Sequence, residues 1–266
     1  MNLNPEILVP KLVDKAREYV QSYFSSKHLL GVRDCDELRA SLRDPLVSAR
    51  VFFGQYAFER AGTGGAHYSD IAADLLKGTV AQPDAPAFLS MFRHKCREIG
   101  VGSNDDLTGE VVLKGYQRHF CDGRKLGWLY ELGQGMVDTG QVRPAYRQLL
   151  DIKGIGQKIA AFFCRDLAWI FDCEKNLPAS ERILLQPVDT WIHQIAVLLW
   201  HDFPPVKARE KYLLYFPIAA RIVSVTDQLR QSGVAFNQGS WYFGSREVVW
   251  AEKLETQLAE LQEARS

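Results

Sequence analysis

The hydrophobic positions of this chain recur with the period of a helix. Ile7, Leu8, Leu12, Val13, Ala16 and Val20 fall on one face of a first segment, entered through Pro5, a residue suited to the first helical turn. The same spacing predicts helices over about 45–60, 69–76, 85–99, 105–120 and 124–137. Segments 144–152 and 157–171 follow, then 191–200, a long run over 207–231, a short turn near 236–243, and a last helix over 246–262. Alternating patterns bounded by turn dipeptides, the mark of strands, are nearly absent. The predicted class is all-α. Gly62-Thr63-Gly64-Gly65 reads as a loop, and 172–186, with Asn176, Pro178 and Ser180, reads as a connector.

Composition narrows the class without naming a chemistry. With 47% hydrophobic residues in 266, the chain can bury a sizeable core as one or two domains. Lysine plus arginine and aspartate plus glutamate each total 32, so the formal charge is zero. That argues against a nonspecific polyanion binder, whose affinity grows with the cations it presents. The charge is uneven, however. Between Arg143 and Arg165, the five bases Arg143, Arg147, Lys153, Lys158 and Arg165 meet the single acid Asp151, a net of +4. This suits a short contact with DNA, and it also suits a plain solvated face. The five cysteines (Cys35, Cys96, Cys121, Cys164, Cys173) are odd in number and scattered, which favours reduced thiols in a cytoplasmic or nuclear compartment. Residues 1–23 lack the apolar core of a signal peptide, and no apolar run is long enough for a bilayer, so a soluble, non-secreted protein is expected.

The stretch with the most chemistry is Leu149-Leu150-Asp151-Ile152-Lys153-Gly154-Ile155-Gly156-Gln157-Lys158. It reads as helix, tight glycine hairpin, helix. Two glycines let the backbone turn sharply and bring N–H groups close to an anion, and the dipole of the second helix favours a phosphate there. Arg147 and Lys153 flank the turn. An ordinary corner between two helices has the same outline. Downstream, Gln186-Pro187-Val188-Asp189-Thr190-Trp191 sets a carboxylate just after a proline at another helix start, where Asp189 is also a good N-cap. His193 and His201 have no Cys or His at ligand spacing, so no metal site is expected and a structural role is assigned to both.

Gly154, Gly156, Lys158 and Asp189 together resemble the helix-hairpin-helix DNA glycosylase superfamily. Its hairpin carries a Gly-hydrophobic-Gly core, its strand-cutting members have a lysine two residues after the second glycine, and its catalytic aspartate follows in a Val-Asp-Thr-like segment. The separation of 31 residues between Lys158 and Asp189 is longer than in the endonuclease III-like branch and looks more like the archaeal-type 8-oxoguanine DNA glycosylase/AP lyase branch. The closely grouped C-terminal cysteines that hold an iron–sulfur cluster in endonuclease III-like proteins are missing, so no cluster is expected. A monovalent cation held by hairpin carbonyls occurs in relatives and is compatible with this sequence.

The resemblance implies a role for each matching residue. Lys158 is the nucleophile that attacks the sugar C1′, and Asp189 stabilises the positive charge that develops on the sugar. Phe162 and Trp241 sandwich the flipped base, replacing the stacking it lost. Gln55 reads the base, and Arg165, Pro187 and Asn237 complete its pocket; at Asn237 the family more usually has an acid. Arg147, Lys153, Gly154 and Gly156 hold the DNA phosphate. Read as bare residues, Phe162 and Trp241 equally suit core packing, and Gln55 and Asn237 equally suit satisfied buried amides.

The fold so implied has two helical lobes with the active site in the cleft between them. Residues 1–44 with 187–266 make the terminal lobe, and 45–186 make the central one, with the helix-hairpin-helix at about 143–171. The implied function is a monomeric bifunctional glycosylase/AP lyase of base excision repair. It acts on damaged double-stranded DNA, with 8-oxoguanine the favoured lesion, in the cytoplasm or nucleoid, or in a nucleus. The competing readings are an endonuclease III-like enzyme for oxidised pyrimidines and a non-catalytic helix-hairpin-helix DNA-binding module.

Overall fold

The computed structural model describes residues 3–24, 35–58, 65–78, 83–102, 107–120, 123, 125–204 and 212–264. Among them there is helix and no strand, so the chain is all-α. Polar caps open many of the helices and set where they begin. Asn4 accepts from the Glu6 N–H at the start of α1 (Pro5–Asp14), and Asp44 accepts from Leu46 and Val47 at the start of α4 (Pro45–Gln55). Asp84 caps α6 (Ala85–Glu98) through Ala87. In each case a proline occupies the first turn, where its missing N–H costs nothing.

The helices pack in two sets. In one, α4 lies against α5 (Gly65–Gly78), α7 (Thr108–Phe120) and α8 (Trp128–Thr139), and α6 bridges α5 and α7. In the other, α14 (Gly233–Tyr242) is surrounded by α1, α2 (Ala16–Glu18), α12 (Thr190–Leu199) and α13 (Tyr215–Gln228), and α15 (Leu254–Glu263) covers α1. Helix α10 (Gln157–Ile170) touches both sets, meeting α8 and α9 (Arg143–Leu150) on one side and α14 on the other. Every residue of α10 from Ile159 to Ala168 is buried. The embedded body of this helix holds its first turn rigidly at the surface. A short helix, α3 (Cys35–Ser41), is fastened to the far end of α10 by the Arg39 guanidinium, which donates to the Ile170 carbonyl at 2.8 Å.

Three expectations are corrected. The segment 236–243 is not a turn but most of helix α14, followed by a π-helical stretch, Phe243–Val248. Asn237, Gly239 and Ser240 are weak helix formers, and the helix is buried nearly all round, so it lacks a polar face to mark its period. Gly239 is there because α1 crosses so closely that a Cβ would lie 1.8 Å from the Leu12 carbonyl oxygen. Nor is 246–262 one helix: after the π stretch, Val249 adopts φ +63°, and a 3-10 turn (Ala251–Lys253) precedes α15. The connector 172–186 is mostly helical turns: 3-10 Glu174–Asn176, α11 (Ala179–Arg182) and 3-10 Ile183–Leu185. Of the expected loop at 62–65, residues 62–64 lie outside the described residues and Gly65 opens α5; Cys121 and the start of the 207–231 run also lie outside them. Within that run, 3-10 turns at 212–214 lead into α13 at Tyr215. No helix among the described residues is long and apolar enough to cross a membrane.

Candidate active site

The hairpin between α9 and α10 is built from the inside by two isoleucines. Ile152 and Ile155 are buried, and the Ile155 N–H donates to the Ile152 carbonyl at 2.9 Å, closing the turn around a hydrophobic anchor. Gly154 sits at φ +106°, a conformation only glycine adopts without strain. Gly156 is different. Its φ of −90° suits any residue, and a Cβ there would meet nothing within 4 Å. Internal geometry therefore places no demand for glycine at 156; bare backbone faces open space at the N-terminus of a fourteen-residue helix. Arg147 and Lys153 are exposed beside it. The arrangement can bind an anion by backbone N–H groups and flanking cations.

Lys158, the second residue of α10, and Asp189, the N-cap of α12, face the same cavity of about 310 Å³. Two helix N-termini thus converge on one space. The Asp189 carboxylate accepts from the Ile192 N–H at 2.9 Å, so the capping role is real and coexists with the cavity position. Burial raises the Asp189 carboxyl above its usual range, opposed by the Ile192 N–H, Lys158, the Trp191 N–H and Arg165. A carboxylate so desolvated is a better proton acceptor than a solvated one.

Sequence reasoning missed several residues that build this cavity. His193, one helical turn after Asp189, lines it together with Gln157, Val188, Thr190, Tyr212 and Tyr215. The Tyr146 and Tyr215 hydroxyls both donate to the Gln157 carbonyl, at 3.2 and 3.4 Å, and so fix the residue next to Lys158. Burial raises the Tyr215 phenol well above its usual value, keeping it a neutral donor. Gln157, Val188 and Thr190 adjoin Lys158 and Asp189 in the sequence, and His193 follows Asp189 by four residues; the tyrosines are distant in the chain and carry no motif.

The residues expected around the base also converge, but on one another. Arg165 is 0% exposed. Its Nε pairs with Asp166 at 2.8 Å, its Nη1 donates to Asn237 Oδ1 at 3.0 Å, and its Nη2 donates to the Tyr19 hydroxyl at 2.6 Å. The Asn237 Nδ2 then donates to the Pro187 carbonyl at 3.3 Å. Phe162 is 3% exposed and stacks on Tyr56, with centroids 5.0 Å apart and planes at 14°. The Arg165 guanidinium lies 4.9 Å from the Phe162 and Tyr19 ring centroids alike. Trp241 meets Tyr19 edge to face at 5.8 Å. The Tyr19 and Tyr56 hydroxyls bond each other and Asp166.

Five of the six base-pocket candidates therefore belong to one buried network, completed by Tyr19, Tyr56, Asp166 and Gln238. Sequence reasoning named none of these four. All three Arg165 nitrogens are engaged by protein, and Phe162 and Trp241 are both buried. Gln55, the sixth candidate, is 3% exposed, and neither its Oε1 nor its Nε2 has a hydrogen-bond partner among the described residues. Among those residues, too, no group of three or more His, Cys, Asp or Glu side chains is placed to hold a metal ion. Cys164 and Cys173 form no disulfide among the described residues. In comparison with known proteins, no family model, no curated protein and no solved structure matches this chain.

Proposed function

We propose that this protein is a bifunctional DNA glycosylase and AP lyase that removes an oxidised base, 8-oxoguanine foremost, and then nicks the strand. One observation carries the reading: a lysine and a desolvated carboxylate, each at the start of a helix, share a cavity beside a bare-backbone hairpin. The two sets of helices joined by α10 support a two-lobed arrangement with the site between the lobes.

The chemistry follows from the groups present. A phosphate of the DNA docks on the Gly156 end of α10, with Arg147 and Lys153 beside it. This contact reads no sequence, as suits an enzyme that must search any DNA. Asp189 takes a proton from the Lys158 ammonium, and the freed amine attacks the deoxyribose C1′. The C1′–N bond breaks and the base leaves with the electron pair, taking up the proton that Asp189 holds, and the carboxylate so restored stabilises the electron-poor sugar. Ring opening gives a Schiff base between Nζ and C1′. Loss of the C2′ proton then forms the C2′=C3′ double bond as the C3′–O bond breaks, and water hydrolyses the imine to free Lys158.

Borohydride trapping tests this. Incubated with an 8-oxoguanine duplex and borohydride, the protein should form a covalent complex that survives a denaturing gel. A complex on an abasic duplex but none on 8-oxoguanine would keep the lyase and reject the lesion, and a thymine glycol duplex would then test oxidised pyrimidines. No complex on any duplex would reject the lyase reading.

A further inference from the structure

We propose that this protein binds a nucleoside monophosphate, free or at the end of a strand, in a second cavity. The cavity forms where α2 and the π-helical stretch Tyr19–Phe24 meet α10 and α14. Its volume is about 480 Å³, larger than the 310 Å³ of the Lys158 and Asp189 cavity, and among the described residues the two share no lining residue. The inference therefore stands apart from the glycosylase reading. Cavities of roughly 300–1,000 Å³ hold ligands of drug or cofactor size, a range that includes a mononucleotide.

Gln238 lines this cavity and is only 1% exposed. Its Nε2 donates to Asp166 Oδ1 at 3.0 Å. That bond fixes which way the amide points, because turning it over would set its oxygen against the carboxylate. The Oε1 is then an acceptor with no donor among the described residues. A buried acceptor in that state is unfavourable, and a ligand that brings an N–H relieves it.

The other walls say what else that ligand carries. Arg17 is exposed and lines the same cavity with a guanidinium, whose planar fork matches phosphate oxygens. Trp169, partly buried, lines it with a flat indole against which a heterocycle can lie. Ala16 and Ala235 leave the room that longer side chains would fill. Acceptor, ring and cation answer the N–H, the face and the phosphate of a nucleotide. No acidic side chain is among the described lining residues, so the ammonium of a free aromatic amino acid would meet Arg17 and no carboxylate. The π-helical stretch, which contributes Val20 and Gln21 to the wall, is of a kind that recurs at functional sites.

Calorimetric titration of the full chain with guanosine monophosphate tests the site and should show saturable binding at one site. Arg17→Gln alters an exposed side chain and should weaken that binding about tenfold or more, the weight of one charge-assisted hydrogen bond. Ala235→Leu narrows the cavity and should abolish binding, with circular dichroism showing the helices retained. Lys158→Gln should bind the nucleotide as the wild type does. No saturable binding would overturn the proposal, as would unchanged binding by Arg17→Gln or by a folded Ala235→Leu. Loss of binding in Lys158→Gln would move the nucleotide to the other cavity and overturn it equally, and so would binding of free tryptophan in place of the nucleotide. A 5′-phosphorylated oligonucleotide that displaces guanosine monophosphate identifies a strand end as the ligand; one that does not identifies the free nucleotide. None of these readings requires catalysis, so inactivity on damaged duplexes counts against the glycosylase reading alone.

Discussion

Arg165 Nη1 donates to Asn237 Oδ1 at 3.0 Å, joining α10 to α14 across 72 residues of sequence. The same Asn237 side chain donates to the Pro187 carbonyl, two residues before Asp189. One buried amide thus ties three segments of the site together. The network needs a group that accepts on one side and donates on the other, which a carboxylate does not.

That requirement gives a first prediction. Asn237→Asp should destabilise the protein by about 1–3 kcal/mol near neutral pH, because the ionised side chain loses its donor and faces the Pro187 carbonyl oxygen. Urea unfolding at neutral pH measures the loss.

Asp189→Asn separates catalysis from capping. Asparagine caps a helix as well as aspartate, so α12 should persist, while excision should fall about a hundredfold or more. Because burial raises the Asp189 carboxyl, its ionised form costs stability once pH exceeds that value. The variant should therefore melt at or above the wild-type temperature at neutral pH, with the difference vanishing in acid. Unchanged excision would leave Asp189 a helix cap only.

Lys158→Gln should abolish borohydride trapping while lesion binding, followed by gel shift, remains. Trapping at the wild-type level would move the nucleophile to another residue.

The two hairpin glycines should behave differently. Gly154→Ala forces a side chain into φ +106° and should cost about 1–3 kcal/mol of stability. Gly156→Ala meets no atom of the described residues and should leave the melting temperature nearly unchanged while weakening DNA binding. Equal effects on melting would show that neither glycine is kept for a ligand.

Gly239→Ala should be among the most damaging single methyl additions. Its Cβ would collide with the Leu12 carbonyl, so α1 and α14 must separate, at about 1–3 kcal/mol or more. Thermal melting measures the loss directly.

Sequence periodicity was enough to place most of the helices, because an amphipathic helix at a surface must repeat its apolar residues every three to four positions. The hairpin was legible for a local reason as well: Gly154, Gly156 and Lys158 lie within five residues, so chain geometry alone sets their relation. Pairing Lys158 with Asp189 was readable only by resemblance, since the two stand 31 positions apart. What the tertiary structure alone decided is how the base-pocket candidates meet. Tyr19, Tyr56 and Asp166 come from three separate helical segments, and no local pattern marks them as partners. Their meeting depends on how α4, α10 and the N-terminal helices pack. Helix α14 was hidden for a related reason: a helix buried nearly all round has no polar face, and its glycine is explained only by the helix that crosses it. Local chain chemistry determined the elements and the candidate site residues; packing between distant elements determined that Phe162, Arg165, Asn237 and Trp241 meet Tyr19, Tyr56 and Asp166 in one buried network.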